Sequence, residues 1–287
     1  MLLASEEGFF KDERLDVRLE EFATGREAFR AAMEGRLDAA TVYTTPVLLQ
    51  AFTTPQPRII TMLHQSAHNT ALVARADRGI RGARDLRGKS VGFPRDTNAE
   101  FFLRTLLEFA GVGWDEVRVV DVRAEEIVEA LAAGRVDAIA IWTPLCDRAA
   151  RALGPGGALT LRSDVYTDIS MLVTRSEVVA SRRGALEAAL RALVRAEKLA
   201  SSNPERLFAV VRRAFPEAEP TELRAQLQRF QLRLGVSHIL VQTLRTEAEW
   251  FTRAGRLPRS PVDLRSLVVT DLLDAVAPEL VTLEAEP

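Results

Sequence analysis

The chain is predicted to be an α/β protein of two lobes, built from duplicated βαβ units with mostly parallel sheets and closed by a helical C-terminal tail. Three observations carry this. A unit of helix, glycine turn, short strand and aromatic-Thr-Pro occurs twice, with Gly35 recurring as Gly134, 99 residues later. Strand-like and helix-like stretches alternate at βαβ spacing up to Arg175. Beyond Gly184 the apolar period becomes helical.

Taken in order, residues 1–8 read as the last turns of a helix closed by Gly8. They carry no basic stretch and meet charge before any apolar core, so they are not a secretory signal. A strand is predicted over 15–19, matching 117–120 in the second copy. Residues 31–46 then align with 130–144: a helix ended by glycine, a strand, and Tyr43-Thr44-Thr45-Pro46 against Trp142-Thr143-Pro144. In the second copy the helix over 99–110 follows a strand and loop over 90–98. In the first copy that strand and loop would lie before Met1, so the copy reads as starting inside its first helix, with the first strand missing. Strand-like 69–76 and 170–175 are the expected crossings between lobes and the hinge candidates, with lobe 1 over 1–74, lobe 2 over 75–170 and the return to lobe 1 over 171–287. The tail is predicted as helices over 185–200, 204–215, 221–234, 243–254 and 262–277, buttressing one lobe and supplying little chemistry.

Composition narrows the function. The 38 Lys+Arg against 40 Asp+Glu leave a net charge of −2, and the arginines are interspersed with acids. That excludes a phosphate-tracking nucleic-acid binder. No apolar run approaches the ~18 residues of a membrane helix. The single cysteine, Cys146, excludes an internal disulfide framework and is expected to be a small buried hydrophobe. Two apparent nucleotide loops fail: 82–90 has five residues between its glycines and leads into a strand, and 154–157 lacks the spacing of a dinucleotide turn.

Glu7-Gly8-Phe9-Phe10, Leu15-Asp16-Val17, Ala23-Thr24-Gly25-Arg26-Glu27-Ala28, Gly35-Arg36-Leu37-Asp38-Ala39, Asp85-Leu86-Arg87-Gly88-Lys89-Ser90-Val91-Gly92 and Val136-Asp137-Ala138 with Trp142-Thr143-Pro144 form an ordered set. The set resembles the substrate-binding proteins of nitrate, sulfonate, taurine and thiamine-precursor uptake, over Met1 to Arg175. The resemblance implies a two-lobed periplasmic-binding-protein type II fold. It also implies a protein outside the cytoplasm that delivers a small-molecule solute to an ABC-transporter permease unaltered; a monomer without cofactor or metal is expected. Relatives that make the thiamine pyrimidine carry a cysteine cluster, whereas Cys146 stands alone.

Ligands of open α/β sheets bind at the carboxyl ends of the strands, so the repeat predicts a cleft between the lobes. There the loop Arg95-Asp96-Thr97-Asn98 opens an apolar helix whose N-terminal N–H groups suit an anion, with Thr97 and Glu100 at capping-box spacing. Thr24 and Glu27 share that spacing and read as a plain cap. Tyr43, Thr44 and Thr45 in one lobe and Trp142 and Thr143 in the other supply aromatics and hydroxyls to hold a small organic body. The alternative is that the aromatics plug their own lobes and the threonines cap helices. His64 and Gln65, read as a loop, are candidate hydrogen-bonding groups. His64 and His68 lack a third metal ligand, so metal binding is not expected. Tyr166 and Asp168 precede the second crossing, where an acid would suit an amine and an Asx turn is the plain alternative. The expected solute is a small organic anion or heterocycle: a sulfonate, a carboxylate or a pyrimidine-like ring. The competing expectations are a biosynthetic enzyme on the same scaffold, using His64, Asp96 or Asp168, and a cytoplasmic ligand sensor.

Overall fold

The computed structural model describes residues 1–52, 56–164, 166–216, 218–259 and 263–283. The chain folds as two units, Met1–Gln65 with Ile169–Pro287 and Ser66–Asp168.

Unit 1 begins with α1 (Leu2–Glu6) and α2 (Phe9–Asp12) on either side of Gly8, whose φ of 73° is open to glycine without strain. Next come α3 (Gly25–Met33), β1 (Ala39–Tyr43), α4 (Thr44–Gln50) and β2 (Pro57–Ser66). Thr24 caps α3 as its spacing predicts, accepting the Glu27 N–H at 3.2 Å. Unit 2 holds β3 (Thr70–Arg75), β4 (Ser90–Phe93), α5 (Asn98–Ala110), β5 (Arg118–Asp121), α6 (Ile127–Ala132), β6 (Ala138–Trp142), α7 (Leu145–Ala152) and β7 (Ala158–Leu161). The chain returns to unit 1 along β8 (Asp168–Arg175). It then forms α8 (Ser176–Ser181), α9 (Arg183–Ser202), α10 (Pro204–Ala214), α11 (Pro220–Leu227), β9 (Gln231–Ser237), α12 (His238–Arg253), α13 (Thr270–Asp274) and β10 (Val281–Thr282).

Each unit has one five-stranded sheet, ordered β1-β8-β2-β9-β10 in unit 1 and β5-β4-β6-β3-β7 in unit 2. The α/β class and the duplication hold, but strand direction is mixed where mostly parallel sheets were expected. β4 runs parallel to β5 and β6, and β9 to β10, while β3 is antiparallel to β6 and β7, and β8 to β1. The antiparallel partners include β3 and β8, the strands that enter each unit from a crossing.

The predicted strand over 15–19 does not form. A strand needs a ladder partner. In unit 2 the counterpart β5 is paired by β4, whereas in unit 1 β1 has β8 on one side and no described strand on the other. The tail holds a second difference. The helix expected over 221–234 stops at Leu227, and β9 follows it. Leu232, Leu234 and Val236 alternate at the strand period, and β2 and β10 supply β9's partners. The helix expected over 262–277 is only α13 after a turn at Leu264–Leu267; Val262 lies outside the described residues.

The unit 1 core joins Phe10, Leu172, Leu190, Leu193, Val236 and Leu272 from five elements. The unit 2 core packs Val73, Ile139 and Ile141 of the sheet on Ile127 and Leu131 of α6, with Cys146 among them. Each fully buried Leu, Ile or Val contributes roughly 1.5–3 kcal/mol. The repeat is also visible in its fastenings. Arg75, ending β3, donates to the carbonyls of Leu131 at 3.1 Å and Ala132 at 2.9 Å, where α6 ends before Gly134. Arg175, ending β8, donates to Leu37 at 2.9 Å and to Ala32, where α3 ends before Gly35. Both glycines have positive φ, 84° at Gly35 and 69° at Gly134, as the αβ turn requires.

Candidate functional site

In unit 1 the expected residues gather at one end of the sheet. Tyr43 ends β1, and His64 and Gln65 lie near the end of β2, paired with Leu232 and Gln231 of β9. His64 and Gln65 therefore belong to a strand, not the loop expected of them, and His68 lies beyond its end. The Tyr43 and His64 rings meet edge to face at 5.8 Å, and the Phe230 ring also meets the imidazole edge to face, at 4.9 Å. His64 Nδ1 is buried without a hydrogen-bond partner. Burial, helped by the Met1 ammonium, lowers the imidazole to about 4, so it is neutral at pH 7. Beside it Gln65 Nε2 donates to Gln231 Oε1 at 2.8 Å.

Thr44 and Thr45 are both fully buried, and their hydroxyls donate to one carboxylate, that of Glu247 on α12, with Thr45 at 2.8 Å. Glu247 is itself 0% exposed and holds the side chains that open α4.

In unit 2 the loop from β4 to α5 turns at Asp96, whose φ is 59°. The capping box expected of Thr97 and Glu100 does not form. Thr97 Oγ1 turns back to the Pro94 carbonyl at 2.7 Å, and Glu100 Oε2 instead accepts the Asp96 N–H at 2.9 Å. The other Glu100 oxygen receives Arg104 Nη2 at 3.0 Å, and that guanidinium lies 3.4 Å from the centre of the Trp114 ring. The first turn of α5 thus lacks a cap from its own Thr97 side chain. Arg95 stands 3.8 Å from the Asp121 carboxylate, with its N–H on the same group at 3.2 Å.

Asn98 and Asp168, 70 residues apart, meet directly: Asn98 Nδ2 donates to Asp168 Oδ1 at 2.6 Å. Thr70 Oγ1 donates to Oδ2 at 2.6 Å and Asn69 Nδ2 to the same oxygen at 3.2 Å. Asp168 is 1% exposed, and burial raises its carboxyl to about 6 against these hydrogen bonds. Tyr166 is buried against Phe101 of α5, their rings 5.2 Å apart. Trp142 ends β6 half-buried, and Thr143 Oγ1 bonds the Asn69 carbonyl at 3.1 Å. Cys146 is fully buried, its sulfur 3.5 Å from Thr143 Oγ1 and 3.4 Å from an Arg162 amine.

Sequence reasoning missed Phe230, Gln231 and Glu247, all in the tail credited with little chemistry, and the partners Asn69 and Thr70. A signal existed for Glu247, an acid between apolar turns of a helix, but nothing local pointed to Thr44. Among the described residues no three His, Cys, Asp or Glu side chains converge to hold a metal ion. No described helix is long and apolar enough to cross a membrane.

Two α/β units of this topology, each with polar and aromatic side chains at one end of its sheet, define the periplasmic-binding-protein type II class. The sequence profile of the NMT1/THI5 like family matches residues 1–207, and the chain belongs to that family. A provisionally named binding protein of Brucella abortus is 26% identical over 95% of this chain and 86% of its own length. The alkanesulfonate-binding protein SsuA of Xanthomonas axonopodis pv. citri, solved with MOPS, shares the fold with a TM-score of 0.77 at 18% identity over 93% of both chains. The desulfurization enzyme DszB, solved with biphenyl-2-sulfinic acid, shares it with a TM-score of 0.71 at 17% identity over 97% of this chain and 95% of that one. Binding proteins and an enzyme thus use this fold, and the family and its relatives support a solute-binding role.

Proposed function

We propose that the protein is a non-catalytic, monomeric solute-binding protein that works outside the cytoplasm. It captures a small organic anion or heterocycle and passes it to an ABC-transporter permease. The observation that carries this is the His64 imidazole: neutral, framed by Tyr43 and Phe230, at the sheet end where ligands of such folds bind, with Nδ1 unpartnered. An unmade hydrogen bond costs roughly 1–3 kcal/mol, which a ligand hydroxyl, amide or ring nitrogen offsets. Tyr43, Gln65 and Phe230 then supply the wall for the body of the ligand. In unit 2 the start of α5 with Arg95 is the proposed reader of an anionic end, and Trp142 of a flat one. Thr44, Thr45, Asn98, Thr143, Tyr166 and Asp168 support these groups from behind, since their polar atoms or rings are engaged within their own units.

Calorimetric titration with MOPS, taurine, nitrate, a short carboxylate and a pyrimidine tests the proposal. Binding of one class, weakened about tenfold or more in His64→Phe, is expected, in line with the loss of one hydrogen bond. Binding of none, or no effect of that variant, removes the reading.

The enzymatic reading rests on the fold shared with DszB. Against it, His64 stays neutral down to about pH 4, Asp168 is sealed, and the Cys146 sulfur is buried. Removal of the sulfur from biphenyl-2-sulfinate by this chain would favour the enzyme.

A further inference from the structure

The cluster around Asp168 does more than fill space. It joins three segments far apart in sequence: Asn69 and Thr70 at the start of β3, Asn98 as the first residue of α5, and Asp168 as the first residue of β8. Asn98 Nδ2 also reaches Thr70 Oγ1 at 3.0 Å, so the four side chains form a closed network. All its members are buried, and every group facing the carboxylate is a neutral donor. The charged side chains on the packed elements are engaged elsewhere. Glu100 and Arg104 on α5 pair with each other, Arg95 stands with Asp121, Asp96 gives its N–H to Glu100, and Arg75 at the far end of β3 pairs with Asp77. β6 carries no charge.

We infer that Asp168 is a proton-linked latch on α5: its carboxyl holds the helix start to the starts of β3 and β8, and uptake of a proton tightens that hold while its loss loosens it. Lifting Asn98 away hydrates the carboxylate, returning it from about 6 towards its ordinary 3.8. Opening therefore releases a proton between those values and is favoured as pH rises. Protonated on Oδ2, the group donates to Thr70 Oγ1 and the cluster stays joined without a buried charge. The latch governs the helix start whatever the protein binds, so it stands apart from the solute proposal.

The test is amide hydrogen exchange on the full chain, corrected for intrinsic rates, at pH 5 and pH 8. The probes are the amides of Phe101, Phe102 and Leu103, whose helical bonds end on the first turn of α5, with Leu190 to Leu193 of α9 as reference. Protection of the α5 amides is expected to be about tenfold higher at pH 5 than at pH 8, the ratio those two titration points give by linkage. The reference amides, which lie in unit 1 with His64, should not gain protection at pH 5. Asp168→Asn is expected to abolish the difference, and Thr70→Val, which removes a donor to the ionised form, to move its midpoint upward. Equal protection of the α5 amides at both pH values in the wild type, or a difference that survives Asp168→Asn, overturns the latch. Should Asp168→Asn not fold, a carbon-13 titration of Asp168 decides: a midpoint near 6 supports the latch and one near 4 overturns it.

Discussion

Arg175 Nη1 donates to the carbonyl of Leu37 at 2.9 Å, fastening the end of β8 to the turn after α3. The same guanidinium takes the carbonyl of Ala32, so one side chain ties together the last turn of α3 and the turn that follows it. Arg175→Ala is expected to cost about 2–3 kcal/mol in urea unfolding, because partly buried carbonyls lose a charged donor. Arg175→Lys should recover part of this, since an ammonium cannot match the planar fork of guanidinium. An alanine variant as stable as wild type would show that water replaces the arginine.

Glu247 is a buried carboxyl group that accepts hydrogen bonds from the Thr44 and Thr45 hydroxyls. Removing both donors takes two hydrogen bonds away from a fully buried carboxyl group. The double variant Thr44→Val with Thr45→Val is therefore expected to lose about 2–3 kcal/mol, the cost of two buried hydrogen bonds. In a Glu247→Gln background the same pair should cost much less, a non-additivity readable by a double-mutant cycle. Equal costs in both backgrounds would mean the hydroxyls do not serve the carboxylate.

Asp168 makes stability depend on pH in a defined direction. Its folded value, about 6, lies above the ordinary 3.8, so the native state holds the extra proton between them. The stabilisation is fully present below 3.8 and is lost as pH rises through 6. By linkage the amplitude is about 3 kcal/mol. Unfolding free energies of wild type and Asp168→Asn, compared at pH 4 and pH 7, should differ by that order. A constant offset between the two proteins would refute the assignment.

His64 acts with the opposite sign. Its folded value of about 4 lies below the ordinary 6.5, so the unfolded chain takes up the proton first. Stability from the neutral imidazole is complete above 6.5 and is lost as pH falls to 4. The expected amplitude is again about 3 kcal/mol. His64→Phe should remove this acid loss from unit 1 and keep the ring packing against Tyr43 and Phe230. Acid sensitivity unchanged in that variant would place the titrating group elsewhere.

Much of the architecture was legible in sequence because it is local. Gly35 and Gly134 marked helix ends, Thr24 a cap, and the repeat around them the duplication, each through the conformational demands of a few neighbouring residues. The site was legible only in part. Tyr43, His64 and Gln65 could be singled out from their places at strand ends, but Phe230 and Gln231 could not, since β9 lay inside what reads as a helix. Thr97 followed the capping-box pattern and still turned to Pro94, because Glu100 was drawn into the buried pair with Arg104.

Residue order by itself determined the α/β class, the twofold repeat and the family, all of which rest on period, turn chemistry and spacing. Tertiary structure alone decided which polar groups are spent and which are left over. Thr44 and Thr45 went to Glu247, about 200 residues away, and Asn98 to Asp168, 70 residues away, while His64 Nδ1 received no partner. A buried polar atom takes whichever donor or acceptor the packing brings within 3 Å or so, and that neighbour is set by the sheet order, not by the local sequence.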